Sequence, residues 1–252
     1  MLEESRFSKR RSARAPSVSR RTFERPRRLR LAGAVLALAL AACVAAPTPP
    51  KSQSGSDEPR NLTLAKRDVA AYVESGRYER EIAVVAAAAR EFIVQRAAHR
   101  SAGERLAVVF DIDETTLSNL RHIREFDFGY VADEWNAWVA RGEAPAIAPM
   151  LEVFRAARGA SVDVFFITGR RERDRPGTEK NLRATGYGDY ARLLCKSNET
   201  HDTTEVFKTA ARKALAVEGY VVIANVGDQP TDLSGGFAER TFKLPNPFYL
   251  VE

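Results

Sequence analysis

The sequence predicts an α/β fold built on a mostly parallel sheet covered on both faces. Three observations carry that expectation. First, short and nearly continuous apolar runs recur at Leu106–Phe110 (LAVVF), Val162–Ile167 (VDVFFI), Leu193–Cys195 and Val221–Val226 (VVIANV). Strands covered on both faces have this pattern, whereas half-exposed strands alternate. Second, Leu151–Arg158, Thr178–Thr185 and Glu205–Val217 lie between the runs and read as helices, the alternation expected of a parallel sheet. Third, polar clusters follow the runs directly, where open α/β sheets carry their ligands.

The elements before the first strand are also legible. Leu62, Val69 and Val73, then Ile82, Val85, Ala89, Phe92 and Ile93, recur at helical spacing up to about Ala98. Ser75-Gly76 breaks the pattern and predicts two helices. Residues 44–60 (VAAPTPPKSQSGSDEPR) have the Pro-, Ser- and charge-rich composition of a flexible tether. The organisation expected is therefore a leader over 1–43, a linker over 44–60 and a folded domain over 61–252.

The net charge of +6 is misleading as a guide to partners. Residues 1–30 hold 11 Lys/Arg and 3 Asp/Glu, a net of +8, so the rest of the chain sums to −2. Nothing in that remainder argues for a nucleic-acid polymer as partner. The basic leader is followed by the apolar stretch Leu31–Leu40, too short to span a bilayer but right for the apolar part of a signal peptide. It closes in Leu40-Ala41-Ala42-Cys43, which resembles the bacterial lipobox. That resemblance implies cleavage before Cys43, lipidation of its thiol and a membrane anchor. Ser19-Arg20-Arg21-Thr22-Phe23 resembles a twin-arginine export signal, although Glu24 stands where an apolar residue is preferred. Together these predict a lipid-anchored protein of a bacterial cell envelope, exported to the periplasmic side or the outer membrane. With Cys43 acylated, Cys195 has no partner for a disulfide and reads as a small buried hydrophobe.

The candidate chemistry sits after the runs. LAVVF leads into Asp111-Ile112-Asp113-Glu114-Thr115-Thr116-Leu117. Residues two apart along an extended chain point the same way, so Asp111 and Asp113 can converge. Two carboxylates that close need a cation or a shared proton between them. Phosphoryl chemistry uses both, one carboxylate attacking phosphorus and the other serving as acid and base. VDVFFI ends in Thr168-Gly169-Arg170, where a hydroxyl and exposed backbone N–H groups could meet a phosphate oxygen. VVIANV ends in Gly227-Asp228-Gln229-Pro230-Thr231-Asp232. Asp228 and Asp232, with Asp111 and the backbone carbonyl of Asp113, would supply the oxygen ligands Mg²⁺ prefers. Lys208, near the start of a helix, is the candidate cation beside the phosphate. Asp202 and Glu205 have capping-box spacing and are read as the start of that helix.

The elements DIDETT, FFITGR, FK and GDQPTD, in this order, resemble the haloacid dehalogenase superfamily. More closely they resemble its acid phosphatase subfamily IIIB, which includes bacterial class C acid phosphatases and relatives of plant vegetative storage proteins. EWNAWVARGEAPA, TEKNLRATGY and RTFKLPNPFYLV are similar to the same subfamily, and the resemblance covers roughly residues 62–252. It implies a Rossmann-like three-layer sandwich with N-terminal helices and a small insert after the first strand. It further implies Mg²⁺-dependent hydrolysis of phosphomonoesters, by an acid phosphatase or a 5′-nucleotidase with an acidic optimum. By the same resemblance Asp111 is the nucleophile and Asp113 the acid/base. Thr168, Gly169 and Lys208 bind the phosphoryl group, and Asp228 and Asp232 hold the metal with Asp111 and Asp113.

Selectivity is expected from Asn119–Pro149, which holds Phe126, Phe128, Tyr130, Trp135 and Trp138. The two tryptophans either anchor a short helix to the core or offer a stacking surface for a nucleobase or aryl group. The insert is too short for a separate cap domain, so an open site for small, varied phosphomonoesters is expected. His99, His122 and His201 lack metal-ligand spacing and are assigned no role. The alternative function is a surface lipoprotein that keeps the scaffold mainly as a binding protein.

Overall fold

The computed structural model describes residues 59–251. Leader, lipobox Cys43 and nearly all of the expected linker lie outside the described residues. Helices α1 (Leu62–Glu74) and α2 (Arg77–Ala98) meet at the expected break. Asn61 caps α1, its Oδ1 accepting the Thr63 N–H at 3.0 Å. Gly76 turns the chain between the helices at φ +68°, a left-handed conformation open to glycine without penalty.

Five strands form one sheet: β1 (Arg105–Phe110), β2 (Asp163–Arg171), β3 (Arg192–Lys196), β4 (Tyr220–Gly227) and β5 (Arg240–Lys243). The order is β3-β2-β1-β4-β5 and every pairing is parallel. Strand β5 is an addition to the sequence expectation. It is a four-residue edge strand with only Phe242 buried, so no apolar run announces it.

Side chains alternate across the sheet. Val108, Phe110, Val164 and Phe166 face a core shared with α2 and with α5 (Ala148–Gly159). Ala107, Val109, Phe165 and Ile167 face Ala211 and Leu215 of α7 (Thr204–Val217). These are the three layers expected, and both faces of β1 are sealed. Each fully buried Val or Phe contributes roughly 1.5–3 kcal/mol relative to exposure. Between β1 and α5 the insert forms α3 (Leu120–Glu125) and α4 (Ala132–Arg141), and α6 (Arg175–Ala184) follows β2. Among the described residues, no helix is long and apolar enough to cross a membrane.

Helix α7 begins one residue later than the capping-box expectation required. Thr203, not Asp202, is the N-cap: it has extended backbone angles and its hydroxyl accepts the Val206 N–H at 3.2 Å. Asp202 lies outside the helix and accepts from the Thr200 hydroxyl.

Candidate active site

The chain leaves β1 for β2 and β3 on one side, then returns to β4 and β5 on the other. The order therefore reverses between β1 and β4, and a crevice opens at their carboxyl ends. Asp111 follows β1 directly, its N–H bonded to the Val226 carbonyl of β4 at 3.0 Å. Asp228 follows β4 directly. Register alone places the two aspartates side by side.

The next residues form a tight turn. The N–H groups of Thr116 and Leu117 both donate to the Ile112 carbonyl at 2.9 Å, and the Thr116 hydroxyl donates to the Asp111 carbonyl at 2.5 Å. Glu114 sits in this turn at φ +53°, and its carboxylate is buried. It accepts from the Asn119 backbone N–H at 2.6 Å and from the Tyr249 hydroxyl at 2.8 Å. Burial, then the neighbouring Asp113 and Asp228, push its carboxyl up to about 8, against the opposing pull of the Asn119 and Tyr249 hydrogen bonds.

Lys208 is buried on α7 with its Nζ between two carboxylates. It donates to Asp111 Oδ1 and, at 2.6 Å, to Asp232 Oδ1. Burial alone would lower its pKa, but Asp111 and Asp232 outweigh that and raise it. The ammonium is therefore charged throughout the working range. Asp232 also accepts the Gln229 N–H through Oδ2 at 2.8 Å. Its own carbonyl accepts from Arg212 Nη1 at 2.7 Å and Asn225 Nδ2 at 2.9 Å, which pin the turn. Asp228 accepts from Thr115 at 3.1 Å, Gln229 Nε2 at 2.6 Å and Asn246 Nδ2 at 2.7 Å.

Asp111, Asp228 and Asp232 each offer a carboxylate oxygen within 4.8 Å of the others. All three are buried, and Lys208 is the only cation bonded to any of their carboxylates among the described residues. The electrostatic deficit is visible in the titration of the group. Burial raises Asp111 well above the ordinary carboxylate value; Lys208 opposes this, while Asp232, Asp228 and Asp113 add to it. Burial and Asp232 push Asp228 up to about 6 against its hydrogen bonds. A buried, oxygen-only donor set with surplus negative charge fits a hard divalent cation such as Mg²⁺.

Asp111, Asp113, Gly169, Lys208, Asp228 and Asp232 all line one cavity of about 650 Å³. Thr168 does not. It is fully buried, and its hydroxyl accepts the Arg170 N–H at 3.1 Å, which braces the strand end. Gly169 takes the position at the cavity. Nor is the Asp113 side chain in the carboxylate triad. It turns to Arg170, whose Nη2 donates to its Oδ1 at 2.7 Å, and to Asn119 Nδ2 at 2.8 Å.

The insert lines the cavity with His122, Phe128, Tyr130 and Trp135. The two tryptophans divide the expected roles. Trp138 anchors α4, being 1% exposed with its Nε1 donating to Asn119 Oδ1 at 2.8 Å. Trp135 presents itself to the cavity. His122, unassigned from spacing, stacks on Trp138 at 5.5 Å and is shifted downward by burial, which favours the neutral ring. Residues Phe248–Val251 complete the lining. Cys195 is buried as expected, and burial pushes its thiol up to about 12.

Gly227 is where β4 gives way to the turn that carries Asp228 and Asp232. A Cβ there would overlap the side chain of Asp232. Gly227→Ala is thus expected to displace Asp232 and Lys208 together and cut kcat/KM for an aryl phosphate by about 10²-fold. Steady-state kinetics checks this, and near-UV circular dichroism confirms that the fold persists.

Comparison with known proteins agrees with this geometry. Over 148 residues the chain is 38% identical to "Acid phosphatase 1" of Solanum lycopersicum, covering 57% of this chain and 58% of that protein. It is 34% identical to "Stem 28 kDa glycoprotein" of Glycine max, over 57% of this chain and 59% of that one. The chain therefore spans less than two thirds of the length of these curated relatives. The class C acid phosphatase from Bacillus anthracis shares the fold, with a TM-score of 0.62 at 19% identity, covering 75% of this chain and 87% of that chain. A family model described as HAD superfamily, subfamily IIIB (Acid phosphatase), matches residues 58–252. The chain belongs to subfamily IIIB, the acid phosphatases of the haloacid dehalogenase superfamily.

Proposed function

We propose that the chain is a phosphomonoesterase that hydrolyses small phosphate esters outside the cytoplasm through an aspartyl-phosphate on Asp111. The observation that carries this reading is the Asp111 carboxylate bonded to Lys208 beside Asp228 and Asp232, with Asp113 two residues on at the same cavity. Lys208 orients Asp111 and neutralises charge against the incoming phosphate. Thr168 and Gly169, at the end of β2, would meet the phosphoryl oxygens. Asp111, Asp228 and Asp232, with the backbone carbonyl of Asp113, would hold Mg²⁺, which would supply electrostatic stabilisation of the transferring phosphoryl group.

In the first half-reaction an Asp111 oxygen bonds to phosphorus as the bond from phosphorus to the ester oxygen breaks. That oxygen keeps the electron pair, takes the Asp113 proton and departs as the alcohol. In the second half-reaction Asp113, now a carboxylate, takes a proton from water. The water oxygen bonds to phosphorus, the Asp111–phosphorus bond breaks, and inorganic phosphate leaves. Both carboxylates return to their starting forms. A second carboxylate at Asp113 has a purpose in turnover and none in mere ligand binding, which favours an enzyme over a binding protein on the same scaffold.

Trp135 and Tyr130 suit aryl groups and nucleobases, so aryl phosphates and 5′-nucleotides fall within the class proposed. The same reading sets this chemistry in the cell envelope, a location supported by the lipobox-like sequence at Cys43 and the tether-like composition of residues 44–60. A panel of phosphomonoesters assayed with Mg²⁺ and with EDTA tests the reading. Hydrolysis that chelation abolishes, and that Mg²⁺ restores, is the expected result. Full activity in EDTA would remove the metal from the account, and no activity on any ester would remove the phosphatase.

A further inference from the structure

Arg170 has no part in the mechanism above, yet its side chain is 2% exposed and paired with Asp113, 57 residues away. The end of β2 explains how it gets there. Thr168 pairs with Cys195 and Arg171 pairs with Lys196, so Gly169 and Arg170 are extra residues on the β2 side of the ladder. An irregularity of this kind re-aims a side chain, and the Thr168 hydroxyl braces it.

The guanidinium meets Asp113 asymmetrically. Oδ1 accepts from Arg170 Nη2 at 2.7 Å, from Arg170 Nε at 3.2 Å and from Asn119 Nδ2 at 2.8 Å. Oδ2 receives a single contact, from Arg170 Nε at 3.2 Å. Both donors are themselves held from behind. Arg170 Nη1 donates to the Thr178 hydroxyl of α6 at 3.0 Å, and that hydroxyl donates to the Asp174 carbonyl at 2.9 Å. Asn119 Oδ1 accepts from Trp138 of α4 at 2.8 Å. A chain of bonds thus runs from α6 through Arg170, Asp113 and Asn119 to α4.

We propose that Arg170 is a positioning residue that, with Asn119, fixes the Asp113 carboxyl so that Oδ2 is the oxygen handing the proton to the leaving group. The inference rests on the acid/base reading of Asp113. With Oδ1 occupied by three donor contacts, Oδ2 is the oxygen with a lone pair free to carry the proton. As the phosphorus–ester oxygen bond breaks and the Asp111–phosphorus bond forms, the proton passes from Asp113 Oδ2 to the ester oxygen. A carboxyl released from the fork would rotate, and its proton would be aimed at the ester oxygen for only part of the time.

The consequence is selective. A weakly basic leaving group such as dinitrophenolate departs without a proton, whereas an alkoxide needs one. Arg170 therefore determines how poor a leaving group the site can expel. The test compares kcat/KM for 2,4-dinitrophenyl phosphate and glycerol 2-phosphate at saturating Mg²⁺ in the full-length wild type, Arg170→Gln, Arg170→Lys and Thr178→Val. Arg170→Gln is expected to lose about 10²-fold on the glycerol ester, the lower end of what a general acid contributes, and less than about fivefold on the dinitrophenyl ester. Arg170→Lys, which keeps the charge but loses the planar fork, falls between it and wild type. Thr178→Val, which frees only the rear of the guanidinium, shows the same selectivity with a smaller loss.

Equal losses on the two esters with a raised KM would assign Arg170 to the phosphoryl group and overturn the proposal. An unchanged ratio between the esters in all three variants would overturn it too. Should Arg170→Gln fail to fold by near-UV circular dichroism, Arg170→Lys and Thr178→Val decide the matter by the same ratio. A wild-type chain that hydrolyses neither ester fails the phosphatase reading itself, a result distinct from an active wild type with indifferent variants.

Discussion

Asp111→Asn is expected to lower kcat for any phosphomonoester by about 10⁴-fold or more, a barrier increase of about 5 kcal/mol. Asparagine keeps the shape of the side chain but not the anionic oxygen that attacks phosphorus, so no acyl phosphate forms. The fold is expected to survive, because the substitution relieves the crowding of three carboxylates while the asparagine Oδ1 can still accept from Lys208. Asp111 has a raised pKa through burial and its acidic neighbours, and Lys208 keeps Asp232 as partner. The melting temperature of the metal-free variant should therefore match or exceed that of the metal-free wild type. Lost activity with an undiminished melting temperature separates a chemical role from a structural one. Wild-type turnover in the variant would end the nucleophile assignment.

Lys208→Met has the opposite signature in stability. Methionine fills similar space but leaves the carboxylates of Asp111 and Asp232 buried without their cation. Breaking such a pair costs about 3–5 kcal/mol, and the metal-free variant should melt well below wild type. Mg²⁺ should recover much of that loss while activity stays low, since the metal replaces the charge but not the phosphate contact.

The same crowding sets the pH dependence of the metal-free wild type. Asp228 at about 6 and Glu114 at about 8 have folded-state values above the ordinary ones. The fold then binds more protons than the unfolded chain, and their contribution is complete at low pH and lost as pH rises through those values. Melting temperature should accordingly fall between about pH 5 and pH 8 without metal, and Mg²⁺ should flatten the slope. Below that window the trend reverses. Glu81, lowered by its Tyr72 and Arg77 hydrogen bonds, and Glu104, lowered chiefly by Arg96, then lose their partners. Thermal melts across pH, with and without Mg²⁺, check both signs.

What the sequence discloses depends on how local the cause is. Strands β1, β2 and β4 are legible because interior strands sealed on both faces are apolar nearly throughout, and Val164–Ile167 is buried at every position. Strand β5 is hidden because an edge strand needs few buried residues. The Asp111–Asp113 pair is visible through its period of two, and Asp228 through its place after β4. Arg170 is written in the same tripeptide as Thr168 and Gly169, but a Thr-Gly-Arg at a strand end gives no sign of a two-residue irregularity. That feature depends on register with β3. It also turns Arg170 toward Asp113. Glu114, Asn119, Asn246 and Tyr249 are harder still. Tyr249 reaches Glu114 across 135 residues and Asn246 reaches Asp228 across 18, and no spacing rule links polar residues that meet only in the folded chain. An Arg directly after the Thr-Gly was the one available signal for a further cation at the site.

The most direct test of the account is to trap the covalent phosphoryl group. Wild-type enzyme is mixed with a phosphate-labelled ester and Mg²⁺, quenched in acid on the turnover timescale, and its peptides are mapped. The account requires label on the peptide that contains Asp111, at an acyl phosphate that alkali or hydroxylamine releases, and none in Asp111→Asn. Steady turnover of wild type with no label on that peptide, or label on another residue, would contradict it.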